Sequence, residues 1–164
     1  MPHDYDRRRT AGKRYYHGTS SDFDRFDLTK AGERDFGDFG VGVYLTPSAQ
    51  LARSYAYASA KKTHREPKIL AVRVQAHKTA DLDDGPLQRE ISTTLEIPFP
   101  DKTLQAGAPQ TRPRSEALAI TEFLREKGYD SGLGRAGREL VVYDPRLLSI
   151  ERVYTAEDFS ILTA

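Results

Sequence analysis

Three short stretches of this sequence hold residue types from which a reactive site can be assembled. The first is Tyr16-His17-Gly18-Thr19. The second is Gly42-Val43-Tyr44-Leu45-Thr46, with Tyr55 eleven residues beyond Tyr44, and the third is Glu139 ahead of Leu140-Val141-Val142-Tyr143-Asp144-Pro145. Two tyrosines offer aromatic faces, and each can hold a flat cationic ring with about 0.5 to 2 kcal/mol of cation–π attraction. One carboxylate can support positive charge that develops beside it and can draw a proton. Singly, each piece is weak evidence. A histidine at a strand end is more often an ordinary hydrogen-bonded residue, Tyr44 and Tyr55 serve as well in a core, and a glutamate that opens a strand is usually just exposed.

The elements around these residues decide whether they can meet. Arg14 to His17 has the aromatic character of a strand, which stops at Gly18 and the hydroxyl cluster Thr19-Ser20-Ser21. Thr29 to Gly42, with Gly32, Gly37, Gly40 and Gly42, is expected to be a long mobile loop over the site, feeding into the strand Val43-Tyr44-Leu45. Thr46 is the expected N-cap and Pro47 the first residue of a helix running through Ser48 to Lys62, with Leu51, Tyr55 and Ala58 on its inward face. Lys68 to Val74 alternates as a central strand, and Leu87 to Leu95 is a weaker amphipathic helix after the turn Leu82 to Pro86. The proline-bearing stretch 97–114 is loop, and Ser115 to Lys127 is the clearest helix, with Leu118, Phe123 and Leu124 as its stripe and Gly128 as its stop. Strands over Arg138–Tyr143 and Leu148–Tyr154 close the chain. Strand, helix, strand, helices and late strands make an α+β domain. Its expected core is Leu45, Leu51, Ile69, Leu70, Val72, Val74, Leu118, Phe123, Val141 and Val142.

Bulk properties exclude several classes. A chain of 164 residues suits one domain, here 13–164, after a flexible leader at 1–12 that carries Arg7, Arg8 and Arg9. A net charge of +1 gives no global cationic field of the kind that drives nonspecific nucleic-acid binding. The absence of cysteine removes disulfides, thiolate metal sites and thiol nucleophiles. His3, His64 and His77 lack partners at metal-ligand spacing, so no metal is expected. No secretory-type leader and no run of about 18 apolar residues is present. The expectation is a soluble cytoplasmic protein with no membrane partner.

Taken together, the Tyr-His-Gly-Thr strand end, the Gly-x-Tyr-x-Thr strand with its second tyrosine in the following helix, and the late glutamate resemble the His-Tyr-Glu class of ADP-ribosyltransferases. That diphtheria-toxin-like group includes the poly(ADP-ribose) polymerases, and the pattern here looks most like transferase domains of bacterial toxins, effectors and phage-associated polyvalent proteins. The resemblance covers most of Tyr15 to Tyr154, but not residues 76–114. It implies two facing antiparallel sheets forming an NAD cleft, with helices around, and NAD as the substrate. His17, Tyr44 and Glu139 would be catalytic. His17, Gly18, Thr19, Tyr44 and Tyr55 would hold the NAD, and Arg34 and Arg53 are candidates for its pyrophosphate because arginine pairs with phosphate through two donors. Solvated arginines are the commoner case at such positions.

The chemistry agrees with the residue types. Breaking the nicotinamide–ribose bond gives the ribose oxocarbenium character, as in glycoside cleavage, which calls for aromatic faces and one carboxylate. Gly132 to Gly137 superficially suggests a dinucleotide fingerprint, but it precedes a strand instead of a helix, so it is expected to be a loop presenting the acceptor to Glu139. Gly137 stands two positions before Glu139, where the arginine-modifying toxins carry glutamine or glutamate, so an arginine acceptor is not implied. The short chain points to a mono-ADP-ribosyltransferase, toxin or effector, acting on protein or nucleic acid, either in its own cytoplasm or delivered into a target cell, with an immunity protein or antitoxin as a further partner. The alternatives are a NAD glycohydrolase and a non-catalytic NAD-binding or interaction domain. The related RNA 2′-phosphotransferases would ask for basic residues in place of Glu139.

Overall fold

The structure is a computed structural model, and it describes residues 14–21, 26, 37–101 and 112–164. The elements in chain order are β1 (Arg14–Thr19), β2 (Val43–Leu45), α1 (Ala49–Thr63), β3 (Lys68–Val74), β4 (Thr79–Asp81), α2 (Gly85–Leu95), α3 (Arg114–Glu126), β5 (Ser131–Gly134), β6 (Glu139–Val142), β7 (Leu148–Thr155) and α4 (Phe159–Leu162). They form a three-stranded sheet, β1-β3-β7, and a four-stranded sheet, β2-β6-β5-β4. The expected leader at 1–12 lies outside the described residues.

Strand β3 is central, antiparallel to β1 on one side and to β7 on the other. Its burial explains its near-continuous apolar run. Leu70, Val72 and Val74 point into a core shared with Tyr15 of β1, Val43 and Leu45 of β2, and Leu140 and Val142 of β6, so the two sheets face each other across this layer. On the other face Ile69 packs against Ala52 and Ala56 of α1 and against Phe159. The second sheet's outer face meets α2 and α3 through Val141, Tyr143, Leu82, Ile91, Ile120 and Leu124.

The expectation of two wholly antiparallel sheets is corrected at one pair, because β4 and β5 run parallel. The chain leaves β4, passes through α2 and α3 and returns as β5, the crossover that parallel neighbours require. Strand β5 is itself the stretch expected to be a loop. Its glycines serve close approach: a Cβ on Gly132 would meet Leu82 Cδ1 at 2.6 Å, and one on Gly134 would meet Phe39 Cζ at 2.7 Å. Arg135 to Arg138 form the turn between β5 and β6.

Helix α1 begins two residues later than expected. Ser48 is the N-cap, its side chain accepting from the Leu51 amide at 3.2 Å, because Thr46 is occupied in a bridge to Tyr16. Its buried residues are Ala52 and Ala56, not Leu51, Tyr55 and Ala58, so the helix lies close against β1. Tyr55 stands 43% exposed, to the side of this contact. In α3 the buried stripe is Ala117, Ile120 and Leu124, which leaves Leu118 38% exposed, while Leu51 and Phe123 are half-buried.

The end of the loop before β2, from Gly37 on, is held more firmly than its glycines imply. Its part at 29–36 lies outside the described residues, but Asp38, Phe39 and Gly40 are buried. Arg112, also buried, donates from Nε to the Asp38 carbonyl at 2.8 Å and to its carboxylate at 2.9 Å. The Tyr143 hydroxyl donates to the Phe39 carbonyl at 2.9 Å, and the Val41 amide donates to Thr121 Oγ1 at 2.8 Å.

The α1–β1 contact yields a direct test. A Cβ on Gly18 would collide with the Ala52 carbonyl oxygen and lie 2.7 Å from the Ala56 amide nitrogen, both helix backbone, which cannot swing aside as a side chain would. Gly18→Ala should cost about 1–3 kcal/mol, the usual range for overpacking, read from urea unfolding midpoints. A loss within error would mean that the helix shifts freely on the sheet.

Candidate functional site

Among the described residues the two sheets are joined by one backbone bridge, and the candidate site residues gather near it. Tyr16 and Thr46 exchange both backbone hydrogen bonds, at 2.8 and 2.9 Å, in an isolated antiparallel bridge between β1 and β2. Continued in register, that pairing would set Gly18 against Tyr44. The strands diverge instead, and the His17 ring takes the Tyr44 carbonyl, with Nδ1 at 2.8 Å from the oxygen. A carbonyl only accepts, so Nδ1 carries the proton and Nε2 carries the acceptor lone pair. Burial pushes the imidazole below its ordinary pKa, with the bond to Tyr44 working against that shift, so the ring is neutral at pH 7. Phe26 meets it edge-on, with ring centroids 5.3 Å apart.

Strand register places Tyr44 and Glu139 on the same face of the second sheet. Tyr44 pairs with Val141, so Glu139, two residues earlier in β6, points to the same side, beside the Thr46 end of β2. Gly37 lies against the Tyr44 ring, where a Cβ would enter the ring itself, and the Tyr44 hydroxyl donates to the Gly40 carbonyl. Burial, followed by the charges of Tyr143 and Glu139, holds the Tyr44 phenol well above its ordinary range. Tyr55 is raised for the same leading reason and responds to Glu139 and Arg135 as well, which puts the second tyrosine within electrostatic reach of the carboxylate. His17, Tyr44, Tyr55 and Glu139 therefore come together at the rim where the sheets join. The layer between the sheets is filled by apolar side chains.

Glu139 is the one acidic group of this set. Burial raises its pKa, Arg135 opposes that rise, and Asp38 adds to it. Its partner is Arg135, with Nε at 2.8 Å from Oε2. Yet the Arg135 Nε has no aligned hydrogen-bond acceptor and is buried, so the pair is close in charge without being directed as a hydrogen bond.

The other sequence candidates divide. Gly18 stands at the divergence beneath α1, and Thr19 is buried with its hydroxyl accepting from the Ser21 amide at 3.1 Å, so it shapes the turn after β1. Arg53 is not brought to the site: its guanidinium donates to Thr163 at 3.3 Å and lies 5.7 Å from the Tyr57 ring centroid, toward the C-terminal helix. Arg34 lies outside the described residues. Sequence reasoning missed Arg135, whose signal was its place four residues before Glu139 in a glycine-rich hairpin. A pocket of about 190 Å³ opens beside Arg135, lined by Asp38, Phe39, Leu82, Asp83, Pro100 and Asp101, and includes none of His17, Tyr44, Tyr55 or Glu139. Among the described residues no cluster of groups suits a metal ion, and no helix is long and apolar enough to cross a membrane.

Comparisons with known proteins bear on this arrangement. No curated protein matches the sequence. Among solved structures, a chain of the M. tuberculosis MbcT–MbcA toxin–antitoxin complex superposes with a TM-score of 0.56 at 16% identity, over 92% of this chain and 88% of that one. An anti-CRISPR protein superposes with a TM-score of 0.39 at 12% identity, over 83% of this chain and 93% of that one, too loosely to bear on the fold. The first likeness is one of fold. The family model described as ADP-ribosyltransferase in polyvalent proteins matches residues 11–148, which span β1 through the start of β7 and every residue gathered at the join, and the chain belongs to that family.

Proposed function

We propose that this chain is a toxin-like mono-ADP-ribosyltransferase that cleaves the nicotinamide–ribose bond of NAD and transfers ADP-ribose to a macromolecular acceptor, protein or nucleic acid. The observation that carries the reading is a largely buried carboxylate, Glu139, 2.8 Å from Arg135 and within charge reach of Tyr44 and Tyr55. The residues fit the substrate. Bound there, NAD would set its cationic nicotinamide against the aromatic side chains and its ribose near the carboxylate, which would support the developing positive charge. As that bond breaks, its electron pair leaves with nicotinamide and the positive charge passes to the ribose. Glu139 supports that charge and takes the proton that the acceptor gives up on attack. His17, neutral and with its proton fixed on Nδ1, presents an acceptor to a ribose hydroxyl. Gly18 offers backbone to the nicotinamide amide. Arg34 remains the arginine proposed for the pyrophosphate, and Arg53 is set aside for its contacts with Thr163 and Tyr57. The fold likeness to a toxin–antitoxin complex supports the expectation of a neutralising protein partner.

Nicotinamide release by the purified protein, with and without a cell extract, tests this reading. Glu139→Gln should lower release on the order of 100- to 1,000-fold, the usual effect of removing one group that stabilises transition-state charge. Full turnover by that variant would refute the assignment. Labelled macromolecules mark transfer, whereas free ADP-ribose as the sole product would reassign the enzyme as a hydrolase.

Tyr55 separates a ring's role in binding from a role in folding, because it stands off the core. Tyr55→Ala should raise KM for NAD roughly 2- to 30-fold, the equivalent of one lost cation–π face. Tyr55→Phe should leave KM near the wild-type value. Equal KM for Tyr55→Ala and wild type would remove Tyr55 from the site.

The two shifted groups make opposite contributions to stability. The folded-state pKa of Glu139 lies above its ordinary 4.5, so the folded state holds the proton more tightly, and stability falls as pH rises through the interval between the two values. His17 lies below its ordinary 6.5, so there the unfolded chain holds the proton more tightly, and stability is complete above 6.5 and lost as pH falls through the folded value. Urea midpoints measured across this range should therefore lose the fall just above pH 4.5 in Glu139→Gln. They should lose the rise toward pH 6.5 in His17→Gln. Profiles parallel to wild type in both variants would contradict these shifts.

A further inference from the structure

We infer that Arg135 is the positioning residue for Glu139, held for that task by Asp83; this rests on the proposed role of Glu139. The turn joining β5 to β6 has an unusual build. Arg135 and Ala136 both adopt left-handed conformations, with φ of 53° and 56°. Neither is glycine, so the turn carries strain that something else must offset. Asp83, from the turn after β4, supplies the offset: Oδ1 accepts from the Arg135 amide at 3.1 Å and Oδ2 accepts from the Ala136 amide at 2.9 Å. One carboxylate thus grips two successive amides and fixes the backbone from which the arginine departs. The side chain then crosses Phe39, its guanidinium 5.7 Å from the ring centroid, and ends with Nε at 2.8 Å from Glu139 Oε2.

The orientation of that contact separates positioning from a plain salt bridge. Nε is buried, yet its N–H is not aligned on the carboxylate or on any other acceptor among the described residues. Glu139 therefore gains a close positive charge without giving a lone pair to a directed hydrogen bond. A carboxylate that must stay ionised in a desolvated place, and must still accept from substrate hydroxyls, needs that combination. The groups around Glu139 bear this out. Asp38 from the 37–40 turn opposes ionisation, the phenols of Tyr44 on β2 and Tyr55 on α1 carry no charge at neutral pH, and Arg135 is the cation among the groups that act on it.

The test uses the full chain and two readouts, the second independent of turnover. In Arg135→Gln the acid limb of the pH–kcat profile for nicotinamide release should move to higher pH. At pH 6 kcat should fall on the order of 100-fold, as for a displaced reacting group, with KM for NAD little changed. Arg135→Lys, which keeps the charge, should bring the limb most of the way back. Asp83→Asn, which leaves the arginine in place but loosens its turn, should move the limb in the same direction by less. The carboxyl carbon of Glu139, titrated by NMR, should show the same order of shifts. Turnover that depends on Glu139 but has an unmoved limb in Arg135→Gln, together with an unmoved Glu139 titration, would overturn the inference and leave the proposed function standing. A wild-type protein without turnover whose Glu139 titration still moves in Arg135→Gln would refute the proposed function and leave the pairing standing. Should Arg135→Gln fail to fold, Arg135→Lys and Asp83→Asn decide by the same two readouts.

Discussion

Everything at the site follows from the way β1 and β2 meet. One residue pair, Tyr16 and Thr46, shares two backbone hydrogen bonds, and then the strands part so that the two sheets can face each other across an apolar layer. Where a ladder stops, backbone groups lose their partners, and inside a protein they must find others. The Tyr44 carbonyl finds the His17 ring. That substitution turns a side chain into a piece of the sheet and fixes both the position and the tautomer of the imidazole. It also explains why His17 and Tyr44 meet at the join and not between the sheets. At the join, polar backbone and a polar side chain are drawn together by need, while the space between the sheets is packed with apolar side chains.

The same arrangement holds its ionisable groups away from their solution preferences. The imidazole is kept neutral and the Glu139 carboxyl is made harder to ionise, in both cases chiefly by burial. Shifts of this kind cost stability and gather where chemistry is done. Compensation comes from farther along the same face of the second sheet, where the Arg112 side chain is fully enclosed with Asp38 and the Tyr143 hydroxyl holds the Phe39 carbonyl. A buried pair of this sort contributes little net energy after desolvation, but breaking it strands a charge, so it fixes the 37–40 turn in one place.

Much of this was legible in the sequence. The central strand, the weak amphipathic helix and α3 were signalled by periodicity and stop signals, because those features depend on local pattern. The grouping of His17, Tyr44, Tyr55 and Glu139 was readable only as a combination of motifs. What was hidden depended on distant partners. Thr46 has the composition of an N-cap, but Tyr16, thirty residues earlier, claims its backbone, and the helix starts later. Leu118 fits the apolar period of α3, yet the helix packs through Ala117, Ile120 and Leu124 and leaves it outside. Strand β5 was hidden most completely, because its glycines are the signature of a turn.

Those glycines show how the Glu139 carboxylate comes to rest on rigid structure. Gly134 leaves room for the edge of the Phe39 ring, and the next residue, Arg135, places its guanidinium over that same ring. Gly37, two residues before Phe39, lets the chain lie against the Tyr44 ring. Phe39 therefore sits between the turn that carries Arg135 and the turn that backs Tyr44, and it ties the carboxylate's partner to the aromatic face on the neighbouring strand. In a chain whose glycines were merely hinges, these contacts would be lost to motion. Here the missing side chains bring backbone and ring into contact, and the site inherits the stiffness of two strands and a buried ion pair.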